Sequence, residues 1–330
     1  MIDSTSHPFD ALTPDVLIDA VESQGFLSDG GFLALNSYEN RVYQVGIDSQ
    51  TPMIAKFYRP ERWSDAQILE EHQFCFQLQE QELPVVCPWL NAEGRSVSHH
   101  NGFRFALYER KGGHAPELDN LDNLFILGKV LGRFHAVGAI QPFQYRPVLT
   151  VKNFGWDSYR LISKDFIPKE LSPAYDSLAL DVLNAVDKIV EDYGDMTCIR
   201  VHGDCHSGNI LWRDDYPHFV DFDDARMAPA IQDLWMLLSG DRQEQTAQMS
   251  ELIEGYNEFY DFDYRQLKLI EVFRTLRIMH HSAWIARRWS DPAFPRAFSW
   301  FASPRYWSDH ILALREQLAA LNEPAIEICL

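Results

Sequence analysis

Hydrophobic and polar positions alternate in short runs over the first third of the chain. From about residue 32 the apolar runs are broken by polar turns in FLALNSYENRVYQVGI and TPMIAKFY, a pattern typical of antiparallel strands and hairpins. Two further strands are predicted in PVVCPW and FRFALYER. We expect this part of the chain to be a compact α+β unit that ends at about residue 110.

Two helices in the same region are predicted by their capping residues. LTPDVLIDAVESQG has Thr13 at an N-cap position and Pro14 at the first helical position, and it ends at Gly25. SDAQILEEHQFCFQLQ has Ser64 and Gln67 spaced as a capping box, followed by apolar residues at helical intervals.

The pattern becomes mainly helical after KGGH at 111–114, whose paired glycines are typical of a hinge. Apolar stripes near the helical period occur in LFILGKVLGRFHAVG, PAYDSLALDVLNAVDKIVEDYG, PAIQDLWMLLSG, LKLIEVFRTLRIMHHSAWIARRW and WSDHILALREQLAAL. Three short strands are predicted within this region, in CIRVHGD, NILW and HFVDF. The sequence therefore predicts a smaller N-terminal lobe, 1–110, and a larger helical lobe, 111–330.

The strongly acidic composition argues against nucleic-acid and membrane partners. The 330 residues include 48 acidic and 29 basic side chains, and a net charge of −19 repels nucleic-acid phosphates and anionic membranes. The N-terminal MIDSTSHPFD has no basic and apolar leader pattern, and no apolar run is long enough to span a bilayer. We expect a cytoplasmic monomer with no nucleic-acid or membrane partner.

Cysteine usage agrees with a reducing compartment. The five cysteines are scattered and form no C-x-x-C pair, which argues against a disulfide framework and a zinc knuckle. They are Cys75, Cys87, Cys198, Cys205 and Cys329.

Candidate chemistry is concentrated in VHGDCHSGNILWRDDYPHFVDFDDAR, residues 201–226. Asp204 precedes Asn209 by five residues, and Asp221 follows a predicted hairpin. Phosphoryl transfer needs one carboxylate for the acceptor's proton, and an Asn and a second carboxylate for Mg²⁺. The catalytic loop of protein kinases has the same Asp-to-Asn spacing. The segment therefore predicts phosphoryl transfer from ATP.

Such a site also needs a lysine for the nucleotide phosphates and a glutamate to hold that lysine. Lys56 lies in the predicted strand MIAKFY, and the following helix carries Glu70 and Glu71. We favour Glu71 because Phe74 and Leu78 lie on the same helical face, and Glu70 stays open as the alternative.

A family resemblance supports this interpretation. HGDCHSGN and VDFDDA resemble the catalytic segments of the aminoglycoside phosphotransferase and choline kinase superfamily, whose members share the two-lobed protein-kinase-like fold. Further segments, from about residue 33 to 298, resemble a family of bacterial stress-response protein kinases within it. They are LNSYENRVYQ, KFYRPERW, ILEEHQF, HGDCHSGNILWRD, PAIQDLWMLL and RRWSDPAFP.

The resemblance implies an ATP- and Mg²⁺-dependent serine/threonine protein kinase of the bacterial stress response, acting on protein substrates. It implies that Asp204 is the catalytic base, that Asn209 and Asp221 hold Mg²⁺, and that Lys56 with Glu71 clamps the phosphates. An aspartyl phosphate at Asp221 is a further possibility that the family raises.

The same resemblance implies the nucleotide contacts. The turn NSYEN would cover the phosphates with Ser37 as the principal contact, and the adenine would meet the backbone from Tyr108 to Arg110. The chain has no G-x-G-x-x-G motif, so hydroxyl and backbone N–H groups must replace the glycine-rich loop.

Several residues near the site admit alternatives. His202, Asp204 and His206 alternate and could form a zinc or iron triad, but we favour histidines that brace the loop by hydrogen bonds. Asp223 and Asp224 either extend the metal site or form an exposed acidic turn.

Structural roles are expected for five other residues. Asp214 and Asp215 are predicted to form a solvated turn, Asp233 to cap or anchor the catalytic loop, His135 to be a core histidine, and Cys205 to be a buried filler.

Two alternative functions remain at the level of sequence. The acidic balance favours a cationic acceptor, as in a small-molecule kinase of the choline, homoserine or aminoglycoside type. A nucleotide-sensing scaffold without turnover is the other alternative, although the complete set of Lys, Asp, Asn and Asp residues argues against it.

Overall fold

The computed structural model describes residues 7–328, which form two compact units. Unit 1 combines residues 7–116, 143–146 and 207–224, and unit 2 combines residues 117–142, 147–206 and 225–328. Each unit therefore contains more than one stretch of the chain. The functional lobes predicted as 1–110 and 111–330 stay a prediction.

Unit 1 is built on a five-stranded antiparallel sheet with the strand order β1-β2-β3-β5-β4. Lys56, on the central strand β3, pairs with Val42 of β2 and with Ala106 of β5. The core between this sheet and the first helix contains Leu17, Val21, Ala55, Phe57 and Phe105. The strands are β1 Ser28–Ala34, β2 Arg41–Ile47, β3 Met53–Phe57, β4 Ser98–His100 and β5 Phe103–Glu109.

Both capping predictions in unit 1 are confirmed. Helix α1, Pro14–Glu22, begins after Thr13, whose side chain accepts a hydrogen bond from the Val16 backbone N–H. Helix α2, Asp65–Glu80, begins with the complete capping box of Ser64 and Gln67. These local contacts fix where α2 starts, and they therefore fix which of its residues face the sheet.

The strand predicted in PVVCPW is wrong. Val85 and Pro88 form only isolated bridges, to Phe219 and Tyr108. Pro84 and Pro88 have no N–H to donate, so a continuous ladder cannot form through this segment. The three-residue strand β4 was not predicted, because it is too short to display alternation.

The remainder of unit 1 is a hairpin flanked by two short 3₁₀ turns, Ser207–Asn209 and Phe222–Asp224. Strands β7, Ile210–Arg213, and β8, Tyr216–Phe219, pair antiparallel, which confirms the strands predicted in NILW and HFVDF. Asp214 and Asp215 form the exposed turn between them with φ of 53° and 56°, so the predicted solvated turn is also confirmed.

Unit 2 is mainly helical and contains one two-stranded sheet, which pairs β6, Ile199–Val201, with β9, Arg226–Ala228. Four of the five helices predicted in this region are confirmed, whereas PAIQDLWMLLSG forms only the single turn α6 followed by a 3₁₀ helix, Trp235–Leu237. Helices α4, α7 and α9 were not predicted. The helices are α3 Leu121–Gly138, α4 Asp157–Asp165, α5 Ser172–Tyr193, α6 Ile231–Leu234, α7 Arg242–Asn257, α8 Ile270–Arg287, α9 Ala293–Ala297 and α10 Pro304–Leu321.

Helices α3 and α7 approach so closely that their backbones touch. A Cβ atom on Gly128 would lie 2.1 Å from the carbonyl oxygen of Leu252, and one on Gly132 would lie 2.4 Å from that of Tyr256. Gly255 of α7 faces the Phe125 carbonyl in the same way, at 2.2 Å. Glycine is therefore required on both helices at this contact.

The predicted α+β class is confirmed. Between residues 7 and 328, no helix has the length and apolar content to cross a bilayer. Within the same range four cysteines are free thiols, Cys75, Cys87, Cys198 and Cys205, and Cys329 lies outside the described residues.

Candidate active site

Lys56 and the aspartates that follow strand β8 meet in unit 1. The Lys56 Nζ atom lies 2.8 Å from Asp221 Oδ1 and 3.3 Å from Asp223 Oδ1. Lys56 and Asp221 are 165 residues apart in the sequence. The fold thus joins the predicted phosphate lysine to the predicted metal aspartate. The Lys56 side chain is buried and that of Asp221 is half exposed, so the aspartate can be reached from solvent.

The charges at this point stabilise one another. Burial alone lowers the pKa of Lys56, but the carboxylates of Asp221 and Asp223 outweigh burial and hold this pKa well above its usual value. Burial raises the pKa of Asp223, but Arg62 and Lys56 together lower it to about 2. The lysine is therefore charged and Asp223 is ionised at neutral pH.

Glu71 lies nearby and is bound by a buried arginine. Its Oε2 atom accepts a hydrogen bond from Arg146 Nη2 at 2.9 Å, and the same nitrogen donates to the carbonyl oxygens of Phe222 at 3.1 Å and Asp223 at 3.0 Å. Burial raises the pKa of Glu71 to about 7, although the charges of Lys56 and Arg146 oppose this rise. Arg146 thereby connects α2 to the turn that follows Asp221.

Glu70, the alternative partner of Lys56, is bound elsewhere. Its carboxylate accepts backbone hydrogen bonds from Gln144, from Tyr145 at 2.9 Å and from Arg146 at 2.8 Å. Glu71, by contrast, contributes to the electrostatic field that raises the pKa of Lys56. The predicted clamp of Lys56 by Glu71 stays a prediction, since the bonded partner of Glu71 is Arg146.

Arg62 is a second site arginine that the sequence analysis missed. It forms a short ion pair with Asp223, lies 3.1 Å from Asp224 Oδ1, and lies 3.7 Å from Glu39 Oε2. Asp223 is 3% exposed, so the exposed-turn alternative is wrong for this residue. The segment KFYRPERW contained Arg62, but no local pattern distinguished it from a solvated arginine.

The oxygen atoms around Asp221 fit a hard divalent cation. The carbonyl oxygen of Asn209 accepts a hydrogen bond at 3.0 Å from the backbone of Val220, which places Asn209 beside the residue that precedes Asp221. Among the described residues, Asp223 Oδ1 is buried and accepts no hydrogen bond. The described chain contains no group of three or more His, Cys, Asp or Glu residues able to hold a metal ion. Mg²⁺ needs only one or two carboxylates when substrate phosphates supply the other ligands.

The predicted nucleotide contacts also lie in unit 1. Ser37 is half-buried in the bend between β1 and β2, where Asn40 Oδ1 accepts the Arg59 backbone N–H at 3.0 Å. The Tyr108 hydroxyl contacts the Tyr58 hydroxyl at 3.2 Å, and Arg110 donates to Gln44 at 2.7 Å. The Tyr108 hydroxyl is thus hydrogen-bonded within the unit. The predicted contact between the adenine and the backbone from Tyr108 to Arg110 stays a prediction.

The segment that carries Asp204 belongs to unit 2, where Asp233 anchors it. The Asp233 carboxylate accepts the backbone N–H of His202 at 2.7 Å and that of Gly203 at 2.9 Å. His135 Nε2 lies 3.1 Å from the same carboxylate, and its Nδ1 lies 2.9 Å from the Tyr256 hydroxyl. The predicted anchor role of Asp233 and core role of His135 are confirmed.

Asp204 itself contacts two basic side chains. Its Oδ1 atom accepts a hydrogen bond from Arg277 Nη1 at 2.5 Å, and its Oδ2 atom lies 3.5 Å from His206 Nε2. Burial raises the pKa of Asp204, but the hydrogen bond from His206 and the charge of Arg277 hold it well below its usual value. Asp204 is thus an ionised carboxylate, as a proton acceptor must be.

The residues next to Asp204 in the sequence have structural roles. The zinc or iron triad is wrong, since no three-residue metal group occurs between residues 7 and 328. The backbone N–H of Asp204 lies 3.4 Å from His202 Nδ1, which agrees with the predicted bracing role of that histidine. Cys205 is fully buried, as the filler prediction required.

Comparison with known proteins gives a consistent family. The model of the phosphotransferase enzyme family matches residues 32–270. Stress response kinase A of Escherichia coli (strain K12) is 42% identical over 328 residues, which is 99% of this chain and 99% of that protein. The serine/threonine protein kinase RdoA of Salmonella typhimurium (strain LT2) is 41% identical over 329 residues, again with 99% of each chain covered.

Solved structures show the same fold at lower identity. Amicoumacin kinase hAmiN, in complex with AMP-PNP, Ca²⁺ and Ami, has a TM-score of 0.71 and 20% identity, with 92% of this chain and 93% of that chain covered. A microcompartment-associated aminopropanol kinase has a TM-score of 0.66 and 18% identity, with 89% and 99% covered. These likenesses confirm the predicted kinase-like fold.

The family agrees with the geometry of the described units, since both indicate phosphoryl transfer. The resemblance to bacterial stress-response kinases noted in the sequence is also confirmed, over nearly the full length of those relatives. The chain therefore belongs to the phosphotransferase enzyme family, as a kinase homologous to the stress response kinase A proteins.

Proposed function

We propose that this kinase uses ATP and Mg²⁺ to phosphorylate serine or threonine residues of cytoplasmic proteins during bacterial stress. The observation that carries the proposal is the meeting of Lys56 with Asp221 at 2.8 Å and with Asp223 at 3.3 Å. A lysine and metal-binding carboxylates act on the same phosphates in kinases, so phosphoryl transfer requires these groups to lie in one place. The similarity to serine/threonine protein kinase RdoA supports a protein acceptor.

Residues of unit 1 would hold the nucleotide. In this proposal Lys56 binds the phosphates, Glu71 contributes to the field around the lysine, and Asn209 and Asp221 supply oxygen ligands for Mg²⁺. The bound ion would neutralise the negative charge that develops on the transferred group. Ser37 and the backbone from Tyr108 to Arg110 would complete the nucleotide contacts.

Asp204 would serve as the base. The acceptor hydroxyl oxygen forms a bond to the γ-phosphorus as the bond to the β,γ-bridging oxygen breaks, so that ADP leaves. The hydroxyl proton passes to the Asp204 carboxylate. The backbone N–H groups of His202 and Gly203 donate to Asp233, and these two hydrogen bonds hold the segment that carries Asp204 in place.

The experiment compares wild type, Asp204→Asn and Asp214→Asn with labelled ATP and generic protein substrates. Asp204→Asn should lower turnover by about two to four powers of ten while nucleotide binding is retained. Asp214→Asn makes the same chemical change in the exposed turn and should behave like wild type. Equal labelling of protein by wild type and Asp204→Asn would contradict the proposal.

A metabolite panel in the same assay separates the alternative functions. Turnover of choline, homoserine or an aminoglycoside far above the protein-dependent rate would favour a small-molecule kinase. Thermal stabilisation by Mg·ATP without transfer to any acceptor would favour a nucleotide-sensing scaffold.

A further inference from the structure

Arg277 joins the proposed base to a cavity in unit 2. It lies on helix α8, and its Nη1 atom donates to Asp204 Oδ1 at 2.5 Å. The same side chain lines a cavity of about 490 Å³ and is 40% exposed. Arginine carries five N–H donors, and within the described residues the bond to Asp204 uses the Nη1 group. Its remaining donors can therefore meet a group that enters the cavity.

The other charged side chains of this cavity are paired with neighbours, so Arg277 is the cation that can bind a ligand group there. Arg274, the other arginine of the lining, is bound to Glu271 at 3.2 Å and to Gln245 at 3.1 Å. The carboxylate of the lining, Asp309, faces Arg305 at 3.8 Å. No other acidic or basic side chain except histidine belongs to the lining as described.

The histidines and apolar groups of the cavity add no positive charge at neutral pH. Burial lowers the pKa of His281, and burial lowers that of His310 to about 4. Trp235, Ile278 and Tyr306 supply the apolar part of the wall. A hydrogen bond from an arginine to a carboxylate is charge-assisted and is therefore stronger than one between neutral groups.

We propose that Arg277 determines acceptor specificity by binding the carboxylate of an Asp or Glu residue that flanks the acceptor hydroxyl in a protein substrate. The inference rests on the proposed function and narrows its substrate class to acidic segments. The chain's charge of −19 repels such segments in general, so the attraction that brings one to Asp204 would come from this single cation beside the base. The planar guanidinium fork matches a carboxylate in two simultaneous hydrogen bonds.

The test uses three serine peptides that differ only in the flanking residues, which are Glu, Gln or Lys. For wild type, kcat/KM should be about tenfold to a hundredfold higher for the Glu peptide than for the Gln peptide, as for one charge-assisted hydrogen-bonded pair. The Lys peptide should be the poorest substrate.

Variants of Arg277 then test the residue itself. Arg277→Gln should bring the ratio of the Glu to the Gln peptide close to one, mainly through KM of the Glu peptide, and Arg277→Lys should restore part of the ratio. Because Arg277 also touches Asp204, its loss can change kcat for every peptide, but that effect cancels in the ratio. Arg213→Gln removes the same charge from the exposed turn of unit 1, away from this cavity, and should keep the wild-type ratio.

Each contrary outcome has a separate meaning. A ratio near one in wild type, or an unchanged ratio in Arg277→Gln, would overturn the specificity inference while protein kinase activity stands. A wild type that phosphorylates no peptide or protein but does phosphorylate a metabolite would overturn the proposed function, and the inference with it.

Discussion

Arg146 gives the sharpest test of the buried charges in unit 1, because one guanidinium satisfies several buried groups. Its Nη2 atom donates to Glu71 at 2.9 Å and to the carbonyl oxygens of Phe222 and Asp223 at 3.1 and 3.0 Å. Its side chain is completely buried. Arg146→Ala should therefore leave a buried carboxylate and two buried carbonyl groups without their donor.

The magnitude follows from the burial and from the pKa of Glu71. Removal of one partner of a buried ion pair costs about 3–5 kcal/mol, a large part of the roughly 5–15 kcal/mol that stabilises a domain. We expect that loss at about pH 8, where Glu71, with a pKa raised to about 7, is ionised. At about pH 5 the carboxyl is protonated, and the loss should shrink to the roughly 1–3 kcal/mol of unsatisfied hydrogen bonds.

Urea unfolding followed by circular dichroism measures the loss at both pH values, and hydrogen exchange of peptides covering Asp65–Glu80 locates it in α2. The control is Arg213→Ala, because Arg213 pairs with Asp214 at 3.0 Å but is 55% exposed. That pair should contribute less than about 1 kcal/mol. A loss below about 1 kcal/mol for Arg146→Ala at pH 8, or the same loss at both pH values, would refute the reasoning.

Three further predictions concern other buried features. The pKa of Glu71 is raised from 4.5 to about 7, so the folded state binds more protons than the unfolded state between these pH values, and the free energy of unfolding falls as pH rises through them. Glu71→Gln should remove about 3 kcal/mol of this pH dependence, as measured by urea titrations at several pH values. Gly132→Ala should lower the free energy of unfolding by about 1–3 kcal/mol, while Gly112→Ala, whose Cβ would meet no atom within 4 Å, should lower it little. Asp233→Ala should lower kcat with an unchanged nucleotide Kd, because two backbone N–H groups of the Asp204 segment lose the carboxylate that accepts their hydrogen bonds; unchanged kcat would contradict that role.

The sequence predicted best those features that are formed by residues close together along the chain. The capping box of Ser64 and Gln67 predicted the start of α2, and the spacing of Asp204, Asn209 and Asp221 predicted phosphoryl transfer. Helix α7 escaped prediction although Asp241 begins it with a capping box, because its apolar residues form only a weak stripe.

The arginines of the site could not be predicted, because their roles depend on contacts between distant parts of the chain. Arg146 and Glu71 are 75 residues apart, and Arg62 and Asp224 are 162 residues apart. In the sequence each of these arginines has the surroundings of an ordinary surface residue. Only the folded unit shows that Asp223 is buried between Arg62 and Lys56.

The assembly of unit 1 from three stretches of the chain sets the order in which the protein can fold on the ribosome. When residues up to Pro116 have emerged, the sheet is complete, but Arg146 and Asp221, the partners of Glu71 and Lys56, have not yet been translated. Domains generally fold as units during synthesis, and this one can complete its buried ion pairs only after about residue 224 has left the exit tunnel. Until that point Lys56 lacks the carboxylate of Asp221, whereas Arg146, the partner of Glu71, is translated about 75 residues earlier.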